Sequence, residues 1–260
     1  MPGSERLLEL SDRTVHLWEG GAGPALVYLH GADGPRGWLP FLERLSDRFT
    51  IYAITQPGFR SSTGLDLIDN MEDVVFHYLD VFEALGLERP HLFGSSMGAW
   101  IAAEIAVRHS DRLGRLALAN AAGLWIPENP IFNIFTASAR RLRERVFVDP
   151  SSKLAFSLFP DRPATEADLE EVLKGRASVA KLAWNPYMHD TKLRERLRRI
   201  KNPTLVIWGD SDRLVEPVYG ELYAREIPGA RLVVLPQTGH LPQFERPEEL
   251  AQLVGDFFAA

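Results

Sequence analysis

The chain has 260 residues, 45% hydrophobic and 25% charged, the balance of an ordinary globular protein that can bury a sizeable core. A net charge of −6 argues against general nucleic-acid binding, which needs a basic face, and the absence of cysteine excludes disulfides, thiolate nucleophiles and cysteine-ligated zinc. The start from Met1 to Arg6 leads into a short, charge-interrupted apolar run unlike a secretory leader, and no run nears the about 18 residues that span a bilayer, so a cytoplasmic protein without membrane contact is expected.

Residues 13–18 and 25–30 read as strands, separated by the glycine turn from Gly20 to Pro24. The second holds the unbroken apolar run Leu26-Val27-Tyr28-Leu29 of a strand covered on both faces. A helix over 38–46 and a strand over 49–54 follow. Residues 70–85 carry apolar side chains at helical spacing (Val74, Val75, Tyr78, Leu79, Phe82, Leu85) and stop at Gly86. A strand at 91–93, an alanine-rich helix over 97–108 and a strand over 113–119 come next. From Gly123 to Tyr187 the pattern is helical, rich in aromatic residues and without a buried strand. Alternation resumes with strands at 204–208 and 231–235 and helices over 218–226 and 247–258. Strands alternating with helices predict an α/β fold, a mostly parallel central sheet with helices on both faces. Residues 1–122 and 188–260 would form the core, and 123–187 a helical cap or lid over the C-terminal edge of the sheet, where ligands of such sheets bind.

That edge gathers the candidate chemistry. Ser96 is centred in Gly94-Ser95-Ser96-Met97-Gly98, after one strand and before one helix. Glycines on either side of a tight strand-to-helix turn let backbone pass close to an exposed nucleophile. Gly-x-Ser-x-Gly arises by chance in about one chain in ten of this length, so its placement carries more weight than its spelling. A serine hydroxyl also needs a base and oxyanion donors. The loop His30-Gly31-Ala32-Asp33-Gly34 follows a strand and offers the N–H of Ala32, with that of Met97 as the second donor. The Asp33 carboxylate is expected to point away from the oxyanion, and His30 to be structural. Asp210 and Asp212 both follow the strand ending at Trp208, with Asp212 preferred because it reaches further into the loop. Among the seven histidines, His240 alone occupies a glycine-flanked loop at a late strand exit. The order Ser96, Asp212, His240 is that of one known triad arrangement.

With these segments, Gln56-Pro57-Gly58-Phe59-Arg60-Ser61, and Glu245-Arg246-Pro247 after His240, the chain resembles the α/β-hydrolase superfamily, except in the lid. The resemblance implies a Ser-His-Asp triad and an acid three residues after Gly209, which is Asp212. It departs at Thr55, where relatives often carry Asp. A serine nucleophile sets it apart from the haloalkane dehalogenase and epoxide hydrolase branches. Ser95-Ser96-Met97 and His240-Leu241-Pro242-Gln243 are similar to the meta-cleavage-product C–C hydrolases, although that branch usually carries Trp where Leu241 stands. A carboxylic ester hydrolase with no cofactor or metal is therefore the first expectation, C–C hydrolysis of a meta-cleavage-type diketone the alternative, and a ligand receptor on this fold a third. The substrate would be a small ester with an apolar or aromatic acyl group, met by Trp125, Phe135, Trp184 and Leu241. The lid arginines Arg140, Arg141 and Arg143 read as solvated, as does the basic stretch 192–201.

Overall fold

In the computed structural model residues 3–260 are described; Met1 and Pro2, where the reading of a leader-free start begins, lie outside the described residues. The elements are β1 (Ser4–Glu9), β2 (Thr14–Gly21), β3 (Ala25–Leu29), α1 (Pro40–Ser46), β4 (Thr50–Ile54), α2 (Met71–Ala84), β5 (His91–Ser95), α3 (Met97–His109), β6 (Leu116–Ala119), α4 (Ala139–Val146), α5 (Lys153–Leu158), α6 (Glu166–Ala183), α7 (Leu193–Arg196), β7 (Thr204–Gly209), α8 (Val218–Glu226), β8 (Arg231–Leu235), α9 (Pro242–Glu245) and α10 (Pro247–Ala259). They build one eight-stranded sheet in the order β1-β2-β4-β3-β5-β6-β7-β8. β1 and β2 pair antiparallel, as do β2 and β4, and every pair from β4 to β8 along the sheet is parallel. The α/β expectation holds. Among the described residues no helix is long and apolar enough to cross a membrane.

Alternate side chains of each strand enter opposite layers, as a period of two requires. Val27, Leu29, Leu92, Leu116, Leu118, Val206 and Trp208 pack with α2, α3 and α8. Leu26, Tyr28, Phe93, Ala117, Ala119, Leu205 and Ile207 pack with α1 and α10. Burial on both faces explains why the central strands are apolar without interruption. β1 has only Leu8 buried, pairs on one side only and carries charges along its length, so it gave no periodic signal.

Local chemistry sets the helix ends. Asn70 Oδ1 accepts the N–H groups of Glu72 and Asp73 at 2.8 and 3.2 Å, while Asp73 Oδ2 accepts the Asn70 N–H at 3.1 Å, closing a capping box at the start of α2. Gly86 follows the end of α2 with φ +65°, a left-handed turn that glycine adopts without strain.

Two buried histidines make stability depend on pH. His30 Nδ1–H donates to Gly31 O at 2.8 Å and Nε2 accepts the Gln56 N–H at 3.0 Å, so the neutral ring ties the β3 exit loop to the turn after β4. Burial lowers its pKa to about 4. His77, whose Nδ1 accepts from Arg13 Nε at 3.0 Å, is lowered to about 3 by burial and by that guanidinium. In each case the unfolded chain binds the proton first, so folding free energy is intact above the unfolded value near 6.5 and is lost as pH falls toward the folded values. Each histidine should cost on the order of 2 kcal/mol by pH 5. Urea unfolding at pH 7.5 and pH 5.0 checks this; His77→Gln, which keeps an acceptor for Arg13, should shrink the difference.

Candidate active site

The parallel strands end on one edge, and each exit loop there delivers one part. Ser96 follows β5 and holds φ +53°, ψ −115°, a conformation costly for any side chain but glycine. The flanking glycines make the turn possible. A Cβ on Gly94 would strike the backbone of Gly98 and Ala99, and a Cβ on Gly98 would strike the carbonyls of Leu29 and His30. The first turn of α3 is thereby drawn against the end of β3.

Ser96 Oγ lies 2.8 Å from His240 Nε2, and His240 Nδ1 lies 2.7 Å from Asp212 Oδ2. All three side chains are buried. Asp212 Oδ1 accepts the N–H groups of Leu214 and Val215 at 2.9 and 3.0 Å. With both of those donors fixed on Oδ1, Oδ2 is left for the imidazole. Asn120 donates to the same Oδ2 at 2.7 Å. It follows β6 with φ +48°, and no motif in the sequence marks it. Asp210 is turned away: its Oδ1 accepts from Ser211 Oγ at 2.7 Å and from the Thr238 N–H at 3.3 Å.

The loop after β3 lies against Ser96. A Cβ on Gly31 would sit 3.2 Å from Ser96 Cβ and 2.7 Å from Asp33 Oδ1. Ala32 is in this loop and Met97 begins α3. Among the described residues neither N–H has a protein acceptor, so both are free for a ligand oxygen. The turn closed by the Gly34 N–H on Gly31 O at 3.1 Å curls the Asp33 carboxylate back over Gly31. Burial raises its pKa, opposed by Arg36, its own backbone N–H and His240.

Of the four residues expected to meet substrate, Leu241 is buried directly beside His240. Trp125 stacks on His189 with ring centroids 5.0 Å apart, and Phe135 packs edgewise on Trp184 at 5.2 Å. Trp184 remains 58% exposed. The arginine expectation is corrected at one position. Arg143 is buried; its guanidinium donates to Phe159 O at 2.6 Å and to Asp161 Oδ1 at 2.8 Å and lies 3.9 Å from the Phe156 ring centroid. It staples α4 to the chain beyond α5. Arg140 pairs with Glu144 on the surface. Among the described residues no cluster of three or more His, Asp or Glu is arranged for a metal ion.

A serine, an imidazole and a buried carboxylate in one hydrogen-bonded line, with free N–H groups alongside, can attack an electrophilic carbonyl carbon and stabilise the oxyanion. Residues 26–253 match the model of the alpha/beta hydrolase family, and the chain belongs to that family. It is 28% identical over 268 residues to a 2-hydroxy-6-oxo-6-phenylhexa-2,4-dienoate hydrolase of Comamonas testosteroni, covering 96% of this chain and 92% of the relative. It is 30% identical over 265 residues to a 2-hydroxy-6-oxononadienedioate/2-hydroxy-6-oxononatrienedioate hydrolase of Pseudomonas putida, covering 95% and 92%. Among solved structures, a bacterial membrane phospholipase A superposes with a TM-score of 0.77 at 27% identity, over 99% of this chain and 86% of the other. The chain is thus a hydrolase. The first expectation from sequence, a carboxylic ester hydrolase, is overturned: the two sequence relatives above, each matched along at least 95% of the chain, are named for oxo-dienoates, not for esters.

Proposed function

We propose that the protein hydrolyses a C–C bond of a 2-hydroxy-6-oxo-dienoate, the kind of vinylogous diketone that aromatic ring fission yields. The observation that carries this reading is the likeness to two such hydrolases across 95–96% of the chain; the geometry at Ser96 supplies the chemistry. In the 2,6-diketo tautomer, Ser96 Oγ attacks C6 and its proton passes to His240 Nε2. Asp212 holds the ring so that Nε2 faces the hydroxyl and stabilises the imidazolium. The C6 oxygen takes the negative charge and receives the N–H groups of Ala32 and Met97. Collapse breaks C5–C6. The electron pair moves through C4 and C3 to the C2 oxygen, which takes the proton from His240. Water then attacks the acyl group on Ser96, gives its proton to His240, and the proton returns to Ser96. One water is consumed, and a carboxylic acid and a 2-hydroxydienoate leave. In this reading residues 123–187 cap the core formed by 1–122 and 188–260, and Trp125, Phe135, Trp184 and Leu241 offer the apolar wall for the acyl group.

Incubation with 2-hydroxy-6-oxo-6-phenylhexa-2,4-dienoate tests it. Loss of the coloured dienolate with equal amounts of benzoate and 2-hydroxypenta-2,4-dienoate is expected. Substrate recovered intact after incubation with excess protein would overturn the assignment.

Asp33 lies in the loop that carries the Ala32 N–H, and burial raises its pKa. Once ionised, a charge in this loop opposes the oxyanion. Asp33→Asn should therefore raise kcat/KM severalfold where the carboxyl is ionised, and the gain should fade as pH is lowered through its titration. A gain independent of pH would assign Asp33 no such role.

A further inference from the structure

Glu245 ends α9, five residues after His240. Its carboxylate joins two separate segments. Oε2 accepts the Gly239 N–H at 2.7 Å, and Oε1 accepts the Val148 N–H at 3.0 Å. The same stretch of chain holds the base by a second bond: the His240 N–H donates to Val146 O at 2.7 Å. It also holds the loop of the acid, since the Arg213 N–H donates to Arg145 O at 3.2 Å and the Arg213 guanidinium to Glu144 O at 2.8 Å. Residues 144–148, at the end of α4, therefore bracket both loops that flank the Asp212–His240 pair. The fit is tight. A Cβ on Gly239 would strike Val146 O and the Glu245 carboxylate.

We infer that Glu245 is a positioning residue, which fixes His240 over Ser96 by tying the Gly239–His240 loop to the 144–148 segment. The inference rests on the reading of Ser96 and His240 as nucleophile and base. The imidazole must meet Ser96 at 2.8 Å and Asp212 at 2.7 Å at once, and a displacement of about 1 Å at such a site costs on the order of a hundredfold in rate. The loop's own backbone bonds leave the Gly239 N–H to Glu245 alone. Retaining this carboxylate is unfavourable on electrostatic grounds. Burial raises its pKa, the two N–H groups lower it, and the facing Asp212 raises it further against Arg246. A carboxylate is used because its two oxygens accept from two backbone donors in different segments, which no neutral side chain of this length can do.

The test is the second-order rate of Ser96 labelling by a fluorophosphonate, which reads the nucleophile–base geometry without needing the true substrate, set beside the thermal midpoint. Glu245→Ala should label about 10- to 100-fold more slowly. Glu245→Gln, whose amide oxygen still accepts the Gly239 N–H, should recover most of that loss while its midpoint falls as far as that of the alanine variant. Labelling of Glu245→Ala within twofold of the parent overturns the inference, as does a loss that Gln leaves unrelieved. Should Glu245→Ala not fold, Glu245→Asp decides: one methylene shorter, it reaches only one of the two donors and should lose at least about fivefold, whereas the parent rate overturns the inference. Ser96→Ala separates the two claims. Labelling that survives it refutes the nucleophile itself; an unlabelled Ser96→Ala beside a fully reactive Glu245→Ala refutes only the positioning role.

Discussion

Replacing Ser96 by alanine should lower dienoate turnover by at least ~10⁴-fold with binding retained, because the group that forms the acyl intermediate is gone while the N–H groups of Ala32 and Met97 stay in place. Steady-state kinetics and equilibrium titration of the coloured substrate check both halves. Glycine at the same position should behave differently in stability. Ser96 sits at φ +53°, ψ −115°, a conformation that costs a residue with a Cβ about 1–3 kcal/mol. Ser96→Gly removes most of that strain and adds about 1 kcal/mol of backbone entropy to the unfolded chain. A net gain of about 1 kcal/mol in urea unfolding is expected, together with loss of turnover. A glycine variant less stable than the parent would mean that the turn after β5 is not strained.

Asp212→Asn should cost about 10³–10⁴-fold in kcat with little change in KM, and the reason lies in the bonds around that side chain. The N–H groups of Leu214 and Val215 already occupy Oδ1. An amide introduced there must keep its oxygen on that side and turn its NH₂ toward His240. Nδ1 then becomes the acceptor, the ring proton moves to Nε2, and Nε2 can no longer take the proton of Ser96. The same NH₂ would face the donor of Asn120, which bonds Oδ2 at 2.7 Å. Among the described residues Asn120 Oδ1 has no partner, so flipping Asn120 would hold the wrong tautomer more firmly. Asn120→Ala combined with Asp212→Asn should therefore recover part of the lost kcat. A double variant no faster than Asp212→Asn alone would count against this explanation.

The legible parts of the fold were those whose residues are buried on both faces or close a turn. Leu26 to Leu29 and Leu205 to Trp208 are continuous apolar runs because helices cover both sides of the sheet, and Asn70 and Gly86 bound α2 by capping that can be read from the residue types alone. β1 escaped notice because a one-sided edge strand with a single buried residue needs no apolar pattern. At the site, each part that lies in a short loop with glycine beside it could be named: Ser96, Asp212 and His240. Asn120 is marked by no motif, and Glu245 only as part of Glu245-Arg246-Pro247 with no role attached, because the bonds they make join loops far apart in the chain and follow no local spacing. Arg143 looked solvated for the same reason; its partners Phe159 and Asp161 come from beyond α5. The bond to be cleaved was ranked on one position, Leu241, where the C–C branch usually has Trp. Likeness over the whole chain outweighs that position.

The measurement that bears most directly on the proposed reaction is the ratio of kcat/KM for 2-hydroxy-6-oxo-6-phenylhexa-2,4-dienoate to that for p-nitrophenyl benzoate, both of which would leave the same benzoyl group on Ser96. Because a site complementary to C–C cleavage must hold the dienolate leaving group as well as the acyl group, a ratio of at least ~10² in favour of the dienoate is expected. A ratio below one, with the ester turned over and the dienoate left intact, would contradict C–C hydrolysis.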